Sequence, residues 1–191
     1  MTPSRAAAVL DFGLPRCALP QPSLAMARRG MAVRPATEGD LPFLRALYAA
    51  GRAHETGLAA LSEGERIVFL CGQFALQLAH FRRHHAAADF LILVHTPHGG
   101  APAVPVGRID LDRAAPVWRL LDIAIVPGDR GQGLGSVLIG WLKDAARGAR
   151  AAGIDLHVAR DNPRAAALYR RLGFVERASD APTHRRMIWP A

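Results

Sequence analysis

The sequence predicts a single α/β domain in which one mixed, mostly antiparallel sheet of about six or seven strands carries helices on both faces. Apolar runs at 89–96, 104–111 and 117–126 are separated by short turns, which is typical of an antiparallel meander. The third run is followed by an amphipathic helix and then by another strand at 154–158, and such a crossover predicts a parallel pair. The 191 residues are enough for one domain with a sizeable core.

Composition narrows the functional classes. No apolar stretch is long enough to span a bilayer, so we expect a soluble, cytoplasmic protein with no membrane partner. Cys17 and Cys71 are the only cysteines, which is too few for a disulfide framework or a zinc site. The net charge of +8 suits nucleic acid or a polyanionic small ligand. Because the basic residues lack interleaved aromatic side chains, nucleic acid is not expected as a partner.

Residues 1–30 are rich in alanine, proline and arginine and show no sustained periodicity. Prolines recur through the segment and exclude a long helix. We therefore expect a disordered extension over 1–30 and a folded domain over 31–191. Because Met31 stands directly before the first predicted strand, a native start at this residue is a further hypothesis.

The first part of the domain is predicted to contain a short strand at 32–34 and two helices. Thr37 and Asp40 have the spacing of a capping box at the start of the first helix. Ser62 and Glu65 repeat that spacing ahead of the second helix, whose apolar residues recur with helical periodicity.

A strand, a turn and a helix start meet at residues 120–136. The apolar run Leu120–Val126 stops at Pro127-Gly128, and Arg130-Gly131-Gln132-Gly133-Leu134-Gly135 leads into an amphipathic helix. The glycines remove Cβ atoms where the backbone can approach a ligand, and a helix start leaves N–H groups unpaired. The helix dipole, Arg130 and Ser136 add attraction for an anion, so the segment predicts a phosphate-binding site.

Three phosphate-binding patterns compete for this loop. A P-loop needs Lys followed by Ser or Thr after its last glycine, and Leu134-Gly135-Ser136 supplies no Lys. A dinucleotide fingerprint needs a third glycine at Ser136, and Asp155, about 20 residues on, opens the next strand instead. The third pattern, Gln/Arg-x-x-Gly-x-Gly/Ala after a strand, is met by Arg130, Gly133 and Gly135.

A second informative stretch runs from Asn162 to Phe174. Asn162 is a good helix N-cap, Pro163 suits the first helical position and Gly173 ends the helix. The stretch also meets the pattern Asn-x-x-Ala-x-x-x-Tyr-x-x-x-Gly-Phe at Asn162, Ala165, Tyr169, Gly173 and Phe174.

Together these two stretches resemble the GNAT superfamily of acyl-CoA-dependent N-acetyltransferases, over about Met31 to Pro190. The resemblance implies a V-shaped cleft for acetyl-CoA as cosubstrate, no metal, and acetyl transfer to a primary amine by direct attack in a ternary complex. It assigns the pantetheine arm to the strand, the pyrophosphate to the glycine loop, and further coenzyme contacts to the second motif. These residues are Ile123, Ala124, Ile125, Arg130, Gly131, Gln132, Gly133, Leu134, Gly135, Ser136, Asn162 and Ala165.

The resemblance also makes Tyr169 the general acid, and a phenol with an unperturbed pKa of about 10 retains its proton at neutral pH. It implies a bulge in the strand at 123–125 that opens a slot for the thioester. Asp122 is the candidate base or ammonium acceptor, and an ion pair with Arg108 or Arg119 is the alternative explanation for this carboxylate. Weaker candidates for the base are His157, Asp110 and Glu55, and ordered water is a further alternative.

In this family the predicted helix pair lies over the acceptor side, so the residues that could face substrate are Tyr48, Arg52, His54, Glu55 and Gln77. The acceptor, a small-molecule or peptide amine, stays open, and a homodimer is possible. A non-catalytic module that senses acyl-CoA or contacts a partner is the alternative function. His80 and His84 are spaced for metal binding on one helical face, but no glutamate completes a zincin pattern, so no metal is expected.

Overall fold

The computed structural model describes residues 19–52, 56–97, 99 and 101–191. Seven strands form one sheet in the order β1-β2-β3-β4-β5-β7-β6. The strands are β1 (Met31–Pro35), β2 (Ala88–His95), β3 (Val104–Asp112), β4 (Val117–Ile125), β5 (Gly153–Ala159), β6 (Val175–Arg177) and β7 (His184–Pro190). All neighbours pair antiparallel except β4 and β5, which are parallel. The predicted mixed, mostly antiparallel sheet is therefore confirmed.

Five α-helices lie in the described part of the chain: α1 (Leu24–Ala27), α2 (Leu41–Arg52), α3 (Glu63–His84), α4 (Leu134–Gly148) and α5 (Pro163–Arg171). Short 3-10 helices occur at Glu38–Asp40, Thr56–Ala60 and Pro127–Asp129. The strand and helix positions agree with the sequence patterns to within a few residues at each end. The largest difference is at the end of α4: the apolar periodicity and the helix-stopping residue Gly153 predict an end at 153, whereas the helix ends at Gly148. None of these helices combines the length and hydrophobicity needed to cross a bilayer.

Helices cover both faces of the sheet, as expected, because consecutive strand residues point to opposite faces. Phe90 and Ile92 of β2 pack with α2 and α3 in one core cluster. Leu91 and Leu93 of the same strand belong to the second cluster, which contains α4, Met26 of α1 and the buried residues of α5. The sheet thus separates an α2/α3 layer from an α4 layer, and the candidate site lies between them.

Both predicted capping boxes are present. Asp40 Oδ2 accepts a hydrogen bond from the Thr37 backbone at 2.8 Å, and its two oxygens also accept from Arg34 at 2.7 Å each. Asp40 belongs to the short 3-10 helix that leads directly into α2. At α3, Glu65 Oε2 accepts from the Ser62 backbone at 2.9 Å.

The segment 19–30 differs from the predicted disorder. Residues 1–18 of the expected extension lie outside the described residues, but Leu24–Ala27 form α1 and Met26 is fully buried in the core. Trp141 Nε1 donates to the Gln21 carbonyl at 2.9 Å, and Arg29 Nη1 donates to the Gln132 carbonyl at 2.8 Å. One buried methionine and two long-range hydrogen bonds hold the segment, and none of them leaves a periodic sequence signal.

Candidate functional site

The site begins where β4 and β5 separate. Their parallel pairing runs from Val117–Gly153 to Leu120–Leu156 and ends there. On the other side of β4, Asp110 pairs with Asp122 and Leu111 with Leu120, which leaves Leu121 as an extra residue. This β-bulge turns the strand, and beyond it β4 continues beside β3 alone within the described residues. The bulge implied by the resemblance is present, at Leu121 rather than at 123–125.

The separation leaves the β5-facing backbone groups of Ile123 and Ile125 without a strand partner in the described structure, whereas the backbone groups of Ala124 face β3. A strand edge of this kind can pair with an extended ligand through main-chain hydrogen bonds. The three residues line a cleft of about 1740 Å³. The cleft has room for a ligand larger than a drug-sized molecule, whose pockets measure about 300–1,000 Å³.

The glycine loop forms one end of this cleft. Gly131 has φ 79° and Gly133, the N-cap of α4, has φ 78°, which is the left-handed region where only glycine is unstrained. A Cβ on Gly135 would lie 3.1 Å from Leu168 Cδ2 on α5. The backbone is thus bare at the start of a 15-residue helix, which is the arrangement that binds phosphate groups.

Among the predicted loop residues, Gln132 alone does not line the cleft. Its side chain donates to the Gly128 carbonyl at 3.1 Å, and its own carbonyl accepts from Arg29. Arg130 lines the cleft, and its Nε donates to the Ile125 carbonyl at 2.8 Å, which ties the loop to the end of β4. The remaining predicted loop residues that line the cleft are Gly131, Gly133, Leu134, Gly135 and Ser136.

The second motif forms the opposite wall. Asn162 Oδ1 accepts from the Ala165 backbone at 3.0 Å and so caps α5, as predicted, and both residues line the cleft. Tyr169 lies about one turn after Ala165 on α5. Its side chain is 7% exposed and packs against Phe174, with 5.6 Å between the ring centroids. The structure therefore brings both sequence motifs to one cleft.

Tyr169 is the buried phenol of the site. Burial, and then the negative charge of Asp122, raise the pKa of its hydroxyl above the ordinary value. Tyr169 lines the cleft, so its hydroxyl can reach a bound ligand. It is therefore a protonated donor whose partner can come from a ligand.

Asp122 is held by Arg108. Arg108 of β3 donates to the Asp122 carboxylate and, at 2.7 Å, to Gln77 Oε1 of α3. Of the two ion pairs that the sequence left open, the structure contains the one with Arg108, since Arg119 instead pairs with Asp155 at 2.7 Å. The Asp122 side chain is still 28% exposed and lines the cleft, so it can also contact a substrate.

Asp110 lies behind this pair. It is buried, and its Oδ2 is 3.7 Å from Arg108 Nε. Burial raises the pKa of Asp110 to about 7; Arg108 opposes that rise, and the nearby charge of Asp122 adds to it. The buried guanidinium of Arg108 is thus the neighbouring positive charge for two carboxylates, those of Asp110 and Asp122. The sequence signal for this cluster is the alternation of Arg108 and Asp110 inside an apolar strand, which points both side chains to the α2/α3 face.

The helices α2 and α3, which the resemblance places over the acceptor, contribute residues to the cleft. Tyr48, Arg52 and Gln77 line the cleft, and the Arg52 guanidinium lies 4.5 Å from the Tyr48 ring centroid. His54 and Glu55 lie outside the described residues. His157 lines the inner pocket with Asp122 and Tyr169, and burial lowers the pKa of its imidazole, so it is neutral at pH 7.

Arginines that no motif identified lie on the β5–α5 side of the cleft. Arg160, Arg164 and Arg171 line it there, opposite the α2/α3 layer.

His80 and His84 have ring centroids 4.5 Å apart on α3. The described residues contain no group of three or more side chains arranged to hold a metal ion.

Comparisons with known proteins agree with this geometry. Residues 36–174 match the sequence profile described as the acetyltransferase (GNAT) family. No curated protein sequence matches the chain significantly.

Solved structures share the fold. The PaiA N-acetyltransferase of Thermoplasma acidophilum, solved with coenzyme A, superposes with a TM-score of 0.62 at 16% identity, over 84% of this chain and 99% of that one. Spermidine N-acetyltransferase of Vibrio cholerae, solved with coenzyme A and spermine, gives a TM-score of 0.57 at 20% identity, over 84% and 95%.

Proposed function

Since the chain belongs to the acetyltransferase (GNAT) family, we propose that it transfers an acetyl group from acetyl-CoA to a primary amine by direct attack in a ternary complex. One observation carries the proposal: β4 leaves β5 after Leu120, and the slot so opened has the glycine loop at one end and Tyr169 at the other. The cleft can hold a long ligand with a phosphate-bearing end near α4 and a reactive end beside Tyr169.

The residues of the cleft fit coenzyme A. The open edge of β4 offers main-chain groups of Ile123 and Ile125 to an amide-containing arm, and the bare start of α4 offers N–H groups to a pyrophosphate. Arg130 adds positive charge beside that helix start. When bound, acetyl-CoA supplies an activated acyl group. Asn162 and Ala165 form the facing wall, so ordering of the ligand depends on both motifs.

Tyr169 is proposed as the general acid. Its raised pKa keeps the proton on Oη across the neutral range, and Tyr169 lines the inner part of the slot together with Asp122. A proton held there can be donated to the coenzyme A thiolate, if that leaving group lies in the slot beside Tyr169.

Asp122 is proposed to hold the amine. Its side chain is 28% exposed and lines the cleft, so a carboxylate oxygen can accept a hydrogen bond from the ammonium group of a substrate. The proton of the attacking amine then leaves through water, and the neutral imidazole of His157 in the same pocket is the alternative acceptor. The acceptor itself is proposed to be a small-molecule or peptide amine, which would enter beside Tyr48, Arg52 and Gln77.

A thiol-release screen tests the function. Acetyl-CoA and longer acyl-CoAs are combined with amino acids, polyamines, other small amines and peptides with free N-termini, and both free thiol and the acetylated acceptor are quantified. We expect stoichiometric thiol and product with one class of amine. Coenzyme A binding by calorimetry without thiol release from any amine would instead support the non-catalytic acyl-CoA-sensing module.

A further inference from the structure

The outer face of α3 carries large apolar side chains in water. Val68 is 74% exposed, Phe69 46% and Leu76 65%. The opposite face supplies Leu70, Phe74 and Leu78 to the core. Exposed apolar residues grouped on one helix face mark an interaction surface more often than those scattered singly.

Phe69 and Leu76 are one heptad apart, and Ala79 follows three residues later, so these three lie on one stripe of the helix, whereas Val68 lies to its side. Six positions follow one another in steps of 4, 3, 4, 3 and 4 residues, which is the a/d repeat of a heptad. We call this set the α3 seam; its members are Glu65, Phe69, Gly72, Leu76, Ala79 and Arg83, all exposed. The α3 helix cannot turn the seam inward, because Gln77 on its other side accepts a hydrogen bond from buried Arg108.

The seam is complementary to itself when reversed. If two α3 helices pack antiparallel, Phe69 faces Ala79 of the second copy, and Leu76 faces its Gly72. Gly72 suits this contact, since a Cβ there would meet nothing within 4 Å and its absence leaves a hollow for a large side chain. Glycine otherwise weakens a helix interior.

The charges select the antiparallel arrangement. Glu65 lies in the acidic first turns of α3, and Arg83 lies in its basic last turn. In the antiparallel register the Glu65 of each copy faces the Arg83 of the other, so one such pair lies at each end of the seam. A parallel pair would place Glu65 beside Glu65 and Arg83 beside Arg83, which like-charge repulsion disfavours.

We propose that the α3 seam is the interface of a homodimer, in which two α3 helices pack antiparallel about a two-fold axis. The same patch on both subunits contacts itself, as a two-fold interface requires. The described N-terminal segment does not compete for this surface, because Leu19 packs against the core cluster on the other face of the sheet.

Sedimentation equilibrium of the full chain and of Leu76→Lys tests the interface. Each dimer would lose two buried leucines, so we expect the substitution to weaken dimerisation by at least about 100-fold. Leu24→Lys is the matched control, because Leu24 is 67% exposed and lies outside the seam. It should leave the dimer intact. A chain that is monomeric at all concentrations, or a dimer unaffected by Leu76→Lys, would overturn the proposal.

Cysteine cross-linking tests the orientation. The double variant Phe69→Cys with Ala79→Cys should form an intersubunit disulfide on mild oxidation, whereas Ala79→Cys alone should not, since those two residues lie far apart in an antiparallel pair. The wild type controls for its native cysteines. Cross-linking by Ala79→Cys alone would indicate a parallel pair and contradict the proposed interface.

Discussion

Arg108 of β3 donates a hydrogen bond to the carboxylate of Asp122 on β4, immediately beyond the bulge at which β4 leaves β5. The same guanidinium bonds Gln77 of α3 and lies beside buried Asp110. This side chain therefore connects α3 to the strand that forms the slot, and the charges of Asp110 and Asp122 are both close to it.

Replacing Asp122 by Asn should weaken amine binding. The carboxylate is the proposed ammonium contact, and its loss also leaves Arg108 with less compensation. We expect the KM for the amine to rise at least about tenfold, with little change in coenzyme affinity. Steady-state kinetics measure this. Asp144→Asn, which removes an exposed carboxylate paired with Arg147, is the control. An unchanged KM would remove Asp122 from substrate binding.

Replacing Tyr169 by Phe should lower turnover. The substitution keeps the packing against Phe174 and removes only the proton donor. General acid catalysis contributes about 10²–10⁴-fold, so kcat should fall in that range. Calorimetry should show coenzyme affinity within about threefold of the wild type. Wild-type turnover at saturating acetyl-CoA would show that another group protonates the leaving thiolate.

Replacing Gly133 by Glu should abolish coenzyme binding. The residue has a positive φ and precedes α4, so the new side chain adds both strain and negative charge where a phosphate is expected. Affinity should fall at least about 100-fold by calorimetry. Gly148→Glu at the other end of α4, where a Cβ meets nothing within 4 Å, is the matched control. Retained affinity in a folded Gly133→Glu protein would contradict the proposed coenzyme site.

Asp110 should make stability depend on pH. Burial raises its pKa to about 7 in the folded protein, from 3.8, so between these values the folded state holds a proton that the unfolded chain has released. This carboxyl therefore lowers stability as pH rises from 3.8 towards about 7. Asp110→Asn removes the effect and should be relatively more stable at pH 8 than at pH 5.

Urea unfolding of both proteins across this pH range measures the difference directly. Because histidines titrate in both proteins, only the gap between wild type and Asp110→Asn is informative. A gap that stays constant with pH would show that Asp110 is ionised throughout.

Asp40 should stabilise the start of α2. Its bonds from Arg34, then from Thr37, lower the pKa of Asp40 to about 2. A depressed carboxyl contributes stability above pH 3.8, and that contribution is lost as pH falls towards about 2. Because Arg34 is 42% exposed, water weakens the pair, and Asp40→Asn should cost about 1 kcal/mol at pH 7. Urea unfolding checks this, and Glu65→Gln in the exposed second capping box should cost less.

The sequence by itself determined the strands and the four longer helices of this protein, and the two stretches that line its cleft. Strand and helix periodicity, the two capping boxes and the Asn162 cap are local patterns, since each depends on residues within a few positions. The role of Gly131 and Gly133 could be predicted for the same reason, because a positive φ and a helix start without side chains are local requirements of the backbone at those positions.

Only the tertiary structure decided which charged side chains form ion pairs and which distant residues are buried in the core. Arg108 and not Arg119 pairs with Asp122, because Arg108 lies beside Asp122 on the neighbouring strand β3, whereas the parallel register of β4 and β5 places Arg119 opposite Asp155. Met26 fastens a segment that sequence patterns predict to be disordered, since a single buried side chain has no periodicity. Burial sets the pKa of Asp110, and burial depends on the helices and strands that pack around it, which are distant in sequence.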